Sequence, residues 1–219
     1  MKGFIALSGL LCLLGCGSAA KSVRIDLPLP PRLDLAEYNF IYFPGFISDV
    51  KNEGFDSERE AINFFKQEFA RKDIMSIVEE NPVDLSQKDP REFFKKEQPY
   101  FKSFNFKNAE NSLALTGVVS FEVVDRSGFR EVERTDITGR RYYRTQFVEI
   151  TGFNLSFRIF VYDIATGKLL HSNLLRDTID IEGENVDQRL VYYDLLNRIS
   201  GRILGLFTDT IVKGERSLL

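Results

Sequence analysis

The chain has 219 residues, 43% of them hydrophobic and 28% charged, enough apolar material for a folded domain with a charged surface. Its formal net charge of -3 supplies no general attraction to nucleic acid or anionic lipid. Cys12 and Cys16 are the only cysteines and His171 the only histidine, which excludes a disulfide framework, a histidine-rich metal centre and a catalytic thiol from the body that follows.

Lys2 gives a positive start, and residues 4–14 are apolar except for Ser8 and Gly9. This run falls short of the roughly 20 residues that span a bilayer. It has the length and flanks of a signal-peptide apolar region. It ends in Leu13-Leu14-Gly15-Cys16, which resembles the bacterial lipobox, although Leu14 is bulkier than the residue usual there. The resemblance implies cleavage between Gly15 and Cys16 and lipid on the Cys16 thiol. Gly17 stands where an Asp would be the familiar inner-membrane retention signal. By the enterobacterial rule this implies the periplasmic face of the outer membrane, with the lipid as membrane partner.

Three segments follow from this reading: 1–15 as signal peptide, 16–36 as lipidated cysteine and flexible tether, and 37–219 as a single periplasmic α/β domain. Pro28, Pro30 and Pro31 favour extended backbone in the tether.

Residues 39–43 read as a buried strand ending at Pro44-Gly45. A helix is predicted over 57–72, with Ser57 and Glu60 as a capping box and Ala61, Ile62, Phe65 and Phe69 on one stripe. A second strand follows at 74–78. Asp89-Pro90 marks another helix start, expected to stop before Pro99. Tyr100, Phe101, Phe104 and Phe106 fit either a strand or a packed loop.

Residues 113–125 and 145–163 alternate apolar and polar side chains, the pattern of half-exposed antiparallel strands. The run 163–168 is a hairpin turn, and a third strand returns to Ile181. The last element is predicted as a helix over 188–211, capped by Asp187 and stapled by Val186 and Val191. Leu195, Leu196, Ile199, Ile203, Leu206 and Phe207 share one face; Asp194, Arg198, Arg202 and Asp209 oppose them and exclude a membrane span. The fold class is α/β (α+β): a mainly antiparallel sheet with a strand–helix–strand start and a C-terminal amphipathic helix packed on it.

Between the first two long strands lies a polar excursion, 126–144. Its arginines and tyrosines suggest stacking on nucleic acid, but Glu131, Glu133 and Asp136 lie among them and export removes the chain from that partner. Arg130, Arg140, Arg141, Tyr142 and Tyr143 are instead candidate contacts for a protein partner, with the tyrosines expected near the base of the arm; a solvated hairpin is the other reading. His171 reads as a surface or packed strand residue. Gly201 and Gly205 lie on a charged face, against membrane helix pairing. No G-x-S-x-G, H-E-x-x-H or Walker pattern occurs, and no spacing singles out two carboxylates. No cofactor or metal site is expected.

In pattern, residues 39–46, 57–78, 113–124 and 187–211 resemble the amino-terminal domain of the Tol-system translocation protein. The curli-secretion and penicillin-binding-protein-activator lipoproteins share that plan. The resemblance covers about half the chain and carries over no functional residue; the long polar excursion departs from it. It implies a non-catalytic module that binds or helps assemble envelope components. The competing reading is a periplasmic hydrolase using carboxylates.

Overall fold

The computed structural model describes residues 21–52, 54–85, 87–104, 108–183 and 186–218. β1 (Lys21–Leu29), β2 (Phe40–Tyr42) and β3 (Phe46–Ser48) precede α1 (Ser57–Arg71) and β4 (Ser76–Ile77). Two single-turn helices, α2 (Pro90–Phe93) and α3 (Pro99–Lys102), lead to β5 (Ser112–Asp125). Then come β6 (Gly128–Thr135), β7 (Arg141–Val148), β8 (Ile150–Asp163), β9 (Leu169–Glu182), α4 (Gln188–Leu204) and β10 (Thr210–Leu218).

The chain divides into two units, one from Met1–Pro30 with Asp209–Leu219 and one from Pro31–Thr208. In the first, β1 and β10 pair antiparallel, from Lys21 opposite Leu218 to Leu29 opposite Thr210. Two expectations change here. Part of the stretch read as tether is a strand, and the last helix ends at Leu204 rather than near 211. Thr208, Asp209 and Thr210 are weak helix formers, and β-branched Thr210, Ile211 and Val212 suit a strand.

In the second unit the strand order is β4-β2-β5-β8-β9, with β3 also on β5. β5, β8 and β9 are long and antiparallel. β2 pairs parallel with β4 and β5, and β3 pairs parallel with β5. The strand–helix–strand start therefore forms a short parallel margin on a mainly antiparallel sheet.

One face of that sheet packs under both long helices. Leu113, Leu115, Val119 and Phe121 of β5 and Phe153, Leu155, Phe157, Ile159 and Val161 of β8 are buried there. They meet Phe65 and Phe69 of α1 and Leu195, Leu196, Ile199 and Ile203 of α4. Alternation with period two on the strands and 3.6 on the helices makes these faces match. Val123 departs from the pattern, being largely exposed at the far end of β5.

The cap of α1 is Asp56, which accepts from the Arg59 amide at 3.0 Å, and not Ser57. Glu60 is thereby free for another use: it accepts from Arg189 of α4 at 2.7 Å and from the Tyr193 hydroxyl. Asp187 caps α4 as expected, accepting from the amides of Arg189 and Leu190.

The second face is covered over only part of its length. Residues of the segment 78–104, with Leu85, Phe93 and Phe101 buried, pack on Tyr42, Ala114, Val118, Phe160 and Tyr162. α2 starts at Pro90 behind its Asp89 cap but stops at Phe93, well short of Pro99. Phe94 leaves the helix to stack on Phe160, with ring centroids 4.3 Å apart. Tyr100 and Phe101 lie in the turn of α3, Phe104 follows it as a packed loop residue, and Phe106 lies outside the described residues.

Candidate functional site

Among the described residues β6 and β7 pair only with each other, so the polar excursion is a long hairpin, and it also takes in residues 145–148, which the alternation assigns to the next long strand. At its tip Asp136 organises the turn. Its carboxylate accepts from the Thr138 amide and hydroxyl and from the Arg140 amide at 2.6–2.9 Å. Gly139 takes φ 83, the left-handed region that glycine occupies without a Cβ clash. The Thr138 hydroxyl, then the Arg140 amide, hold the Asp136 pKa below the usual carboxylate value.

The register sorts the arm into two faces, because directly paired residues point the same way. One face carries Phe129 opposite Phe147, Glu133 opposite Tyr143 and Thr135 opposite Arg141. The other carries Arg130 opposite Gln146, Val132 opposite Arg144 and Arg134 opposite Tyr142. The first is aromatic and acidic, the second basic. No residue from 128 to 148 is buried, and Phe129 and Tyr143 are 76% and 70% exposed. Phe129 and Phe147 contact edge to face at 5.3 Å near the root.

The five candidate contact residues are thus not brought together. Arg130 lies at the root, ion-paired to Glu182 of β9 at 2.7 Å. Arg140 is in the turn, and Arg141 pairs with Glu133 at 3.2 Å. Tyr142 and Tyr143 stand beside the turn rather than at the base, since Thr135 pairs with Arg141 and the strand runs on to Val148. They point to opposite faces. Gly15 and Cys16 lie outside the described residues.

The sequence reading missed a second feature: the uncovered part of the sheet face beside α2. A cleft of about 530 Å³ is lined by Arg91, Phe94, Arg158, Phe160 and Leu174, among others. It continues past Arg158 along β8 over Ser120 and Ser156, then to Asn154 and Arg176. Asp49 and Glu122 stand on its β5 side. Only the alternation of polar residues on β8 hinted at this trough; α2, which forms its wall, is set by Phe94 finding Phe160 far along the chain.

Titratable groups elsewhere serve the fold. Burial raises the Glu58 pKa, opposed by the bond its carboxylate accepts from the Ser48 amide at 2.9 Å. Burial lowers the pKa of His171, with Arg32 adding to the shift. Gly201 is exposed, with nothing within 4 Å of an added Cβ. Among the described residues, no helix is long and apolar enough to cross a membrane and no group of three acidic, His or Cys side chains is placed to hold a metal ion.

No family model and no curated protein matches the chain. Solved structures similar to it at low identity include three bacterial proteins. A lipoprotein of Neisseria meningitidis aligns at TM-score 0.33 and 10% identity, over 76% of this chain and 97% of its own. A neuraminyllactose-binding hemagglutinin homolog of Helicobacter pylori aligns at TM-score 0.38 and 12% identity, over 80% and 82%. A hypothetical protein of Chlamydia trachomatis aligns at TM-score 0.39 and 10% identity, over 78% and 98%. Likenesses this loose establish neither a shared fold nor a shared activity.

Proposed function

We propose that this chain is a lipoprotein of the bacterial outer membrane, held by lipid on Cys16. In this reading it is a non-catalytic module that uses the β6–β7 hairpin to bind or help assemble other envelope components. The observation that carries the binding role is the arm itself. It exposes Phe129, Phe147, Tyr142 and Tyr143 on a hairpin whose residues are nowhere buried. Exposed aromatics of this kind are the anchors that interfaces use; Phe129, Phe147 and Tyr143 share one face of the arm and Tyr142 lies on the other. The anchor rests on Leu13-Leu14-Gly15-Cys16 after a short apolar run. Each buried CH₂ of an acyl chain contributes about 0.8 kcal/mol, so two or more chains hold firmly.

Two measurements test the reading. Cys16→Ala should abolish acyl labelling and release the protein from the membrane fraction; unchanged labelling refutes the anchor. Cross-linking in intact cells should capture an envelope protein with the wild type and lose it when the hairpin is excised. Retention of every cross-link by the shortened protein refutes the arm.

A further inference from the structure

Arginines on the open face of the sheet divide into two sets. Arg126 and Arg130 are neutralised, by Asp180 and Glu182 respectively, each at 2.7 Å. Arg91, Arg158 and Arg176 make no ion pair among the described residues. In register Arg158 lies between Val118 and Leu174, and Arg176 lies opposite Ser156. No directly paired strand neighbour therefore offers either of them a carboxylate. Arg158 and Arg176 are moreover diagonal neighbours across β8 and β9, where like charges repel. Arg91 enters the same cleft as Arg158 from α2. Asp49 and Glu122 line the same trough but, among the described residues, form no ion pair with any of the three. Guanidinium groups left unpaired in this way favour the holding of oxyanions, since each presents a planar fork that matches a carboxylate.

The shape narrows the ligand. The trough follows β8 from Phe160 to Asn154, about 20 Å at a rise of about 3.3 Å per residue. That is the length of an extended segment of about six residues. Its floor of serine and asparagine side chains offers hydrogen bonds to such a backbone, and the Phe94–Phe160 stack walls one end with an apolar surface. Asp49 and Glu122 on the β5 side repel carboxylates and hold them toward β8 and β9.

We infer that this trough binds an extended acidic peptide segment of a partner protein, its carboxylates on Arg91, Arg158 and Arg176 and an apolar side chain at the Phe94–Phe160 end. The site is separate from the hairpin arm and stands or falls independently of it. The test uses full-length protein in detergent and a fluorescein-labelled peptide of one Phe followed by several Glu, read by fluorescence anisotropy at low salt. Saturable binding is expected. It should weaken by about tenfold or more in the Arg158→Ala/Arg176→Ala double variant and persist in Arg198→Ala on the opposite, helical side. Should the double variant fail to melt cooperatively, Arg91→Ala on the exposed α2 replaces it, with the same loss expected. Equal binding by these variants, equal binding of a Lys-for-Glu peptide, or uptake of inorganic phosphate or anionic vesicles without the peptide would each overturn the proposal.

Discussion

Tyr192 of α4 donates its hydroxyl to the backbone carbonyl of Ser57, at the first turn of α1, across 2.8 Å and 135 positions of sequence. The bond is buried, and the ring contacts Phe121 of β5 and Phe55 at 5.2 and 5.3 Å. The adjacent Tyr193 bonds Glu60, which also holds Arg189. Two neighbouring tyrosines thus fix α4 against the start of α1 and seat both helices on the sheet.

Removing only the hydroxyl separates the hydrogen bond from the packing. Tyr192→Phe should cost about 1 kcal/mol, the usual net worth of a protein hydrogen bond. Tyr192→Ala, which also empties a core position, should cost about 3–5 kcal/mol. Urea denaturation midpoints measure both; a Phe variant as stable as wild type would show that the bond contributes nothing.

Gly117 of β5 faces the backbone of β8 so closely that a Cβ there would lie 2.1 Å from the Arg158 carbonyl oxygen. β5 is paired on both sides, to β3 and β8, so neither backbone can move away cheaply. Gly117→Ala should destabilise by about 3 kcal/mol, the upper part of the usual overpacking range. Gly128→Ala, with nothing within 4 Å of its added Cβ, is the control and should cost far less. Similar melting temperatures for the two variants would contradict the close approach.

His171 gives a pH signature. Burial, aided by Arg32, holds its pKa below 6.5, and Nε2 has no hydrogen-bond partner among the described residues. As pH falls below 6.5 the unfolded chain takes up this proton before the folded one does. Stability therefore falls with acidification through this window and is retained above it. His171→Gln should flatten the slope of stability against pH between neutrality and the folded pKa. An unchanged slope would place the titration on other groups.

Periodicity made the sheet and its helical cover legible: the apolar stripes of 57–72 and 188–211 and the alternation in 113–125 and 145–163 each describe a buried face, although the last helix stops at Leu204 and the second long strand starts only at Ile150. Other features depend on distant partners. Phe94 ends α2 by finding Phe160, and Glu60 is drawn from a capping box to Arg189 and Tyr193 on α4. The pairing of β1 with β10 joins the two ends of the described chain. Val23, Ile25 and Leu27 alternate with polar neighbours, a strand pattern overshadowed by the prolines that follow. The trough was illegible because its arginines come from α2, β8 and β9.

The last prediction separates the arm's role from the fold's stability. Gly128 and Val148 are directly paired, so residues 129–147 can be replaced by Asn-Gly, a two-residue connection suited to closing paired strands. No buried residue is lost, and the register of β5 on β8 out to Asp125 and Thr151 is untouched. Among the described residues, the one ion pair to the rest of the unit that disappears, Arg130–Glu182, is solvent-exposed on both sides; such pairs contribute about 0–1 kcal/mol. The shortened protein should therefore unfold cooperatively with stability within about 1 kcal/mol of wild type. A loss well beyond that would show that the hairpin belongs to the folding unit, and its aromatics would then need a structural explanation. Retained stability together with lost cross-links would leave partner binding as the arm's function, because the same excision would have removed the contacts without disturbing the core.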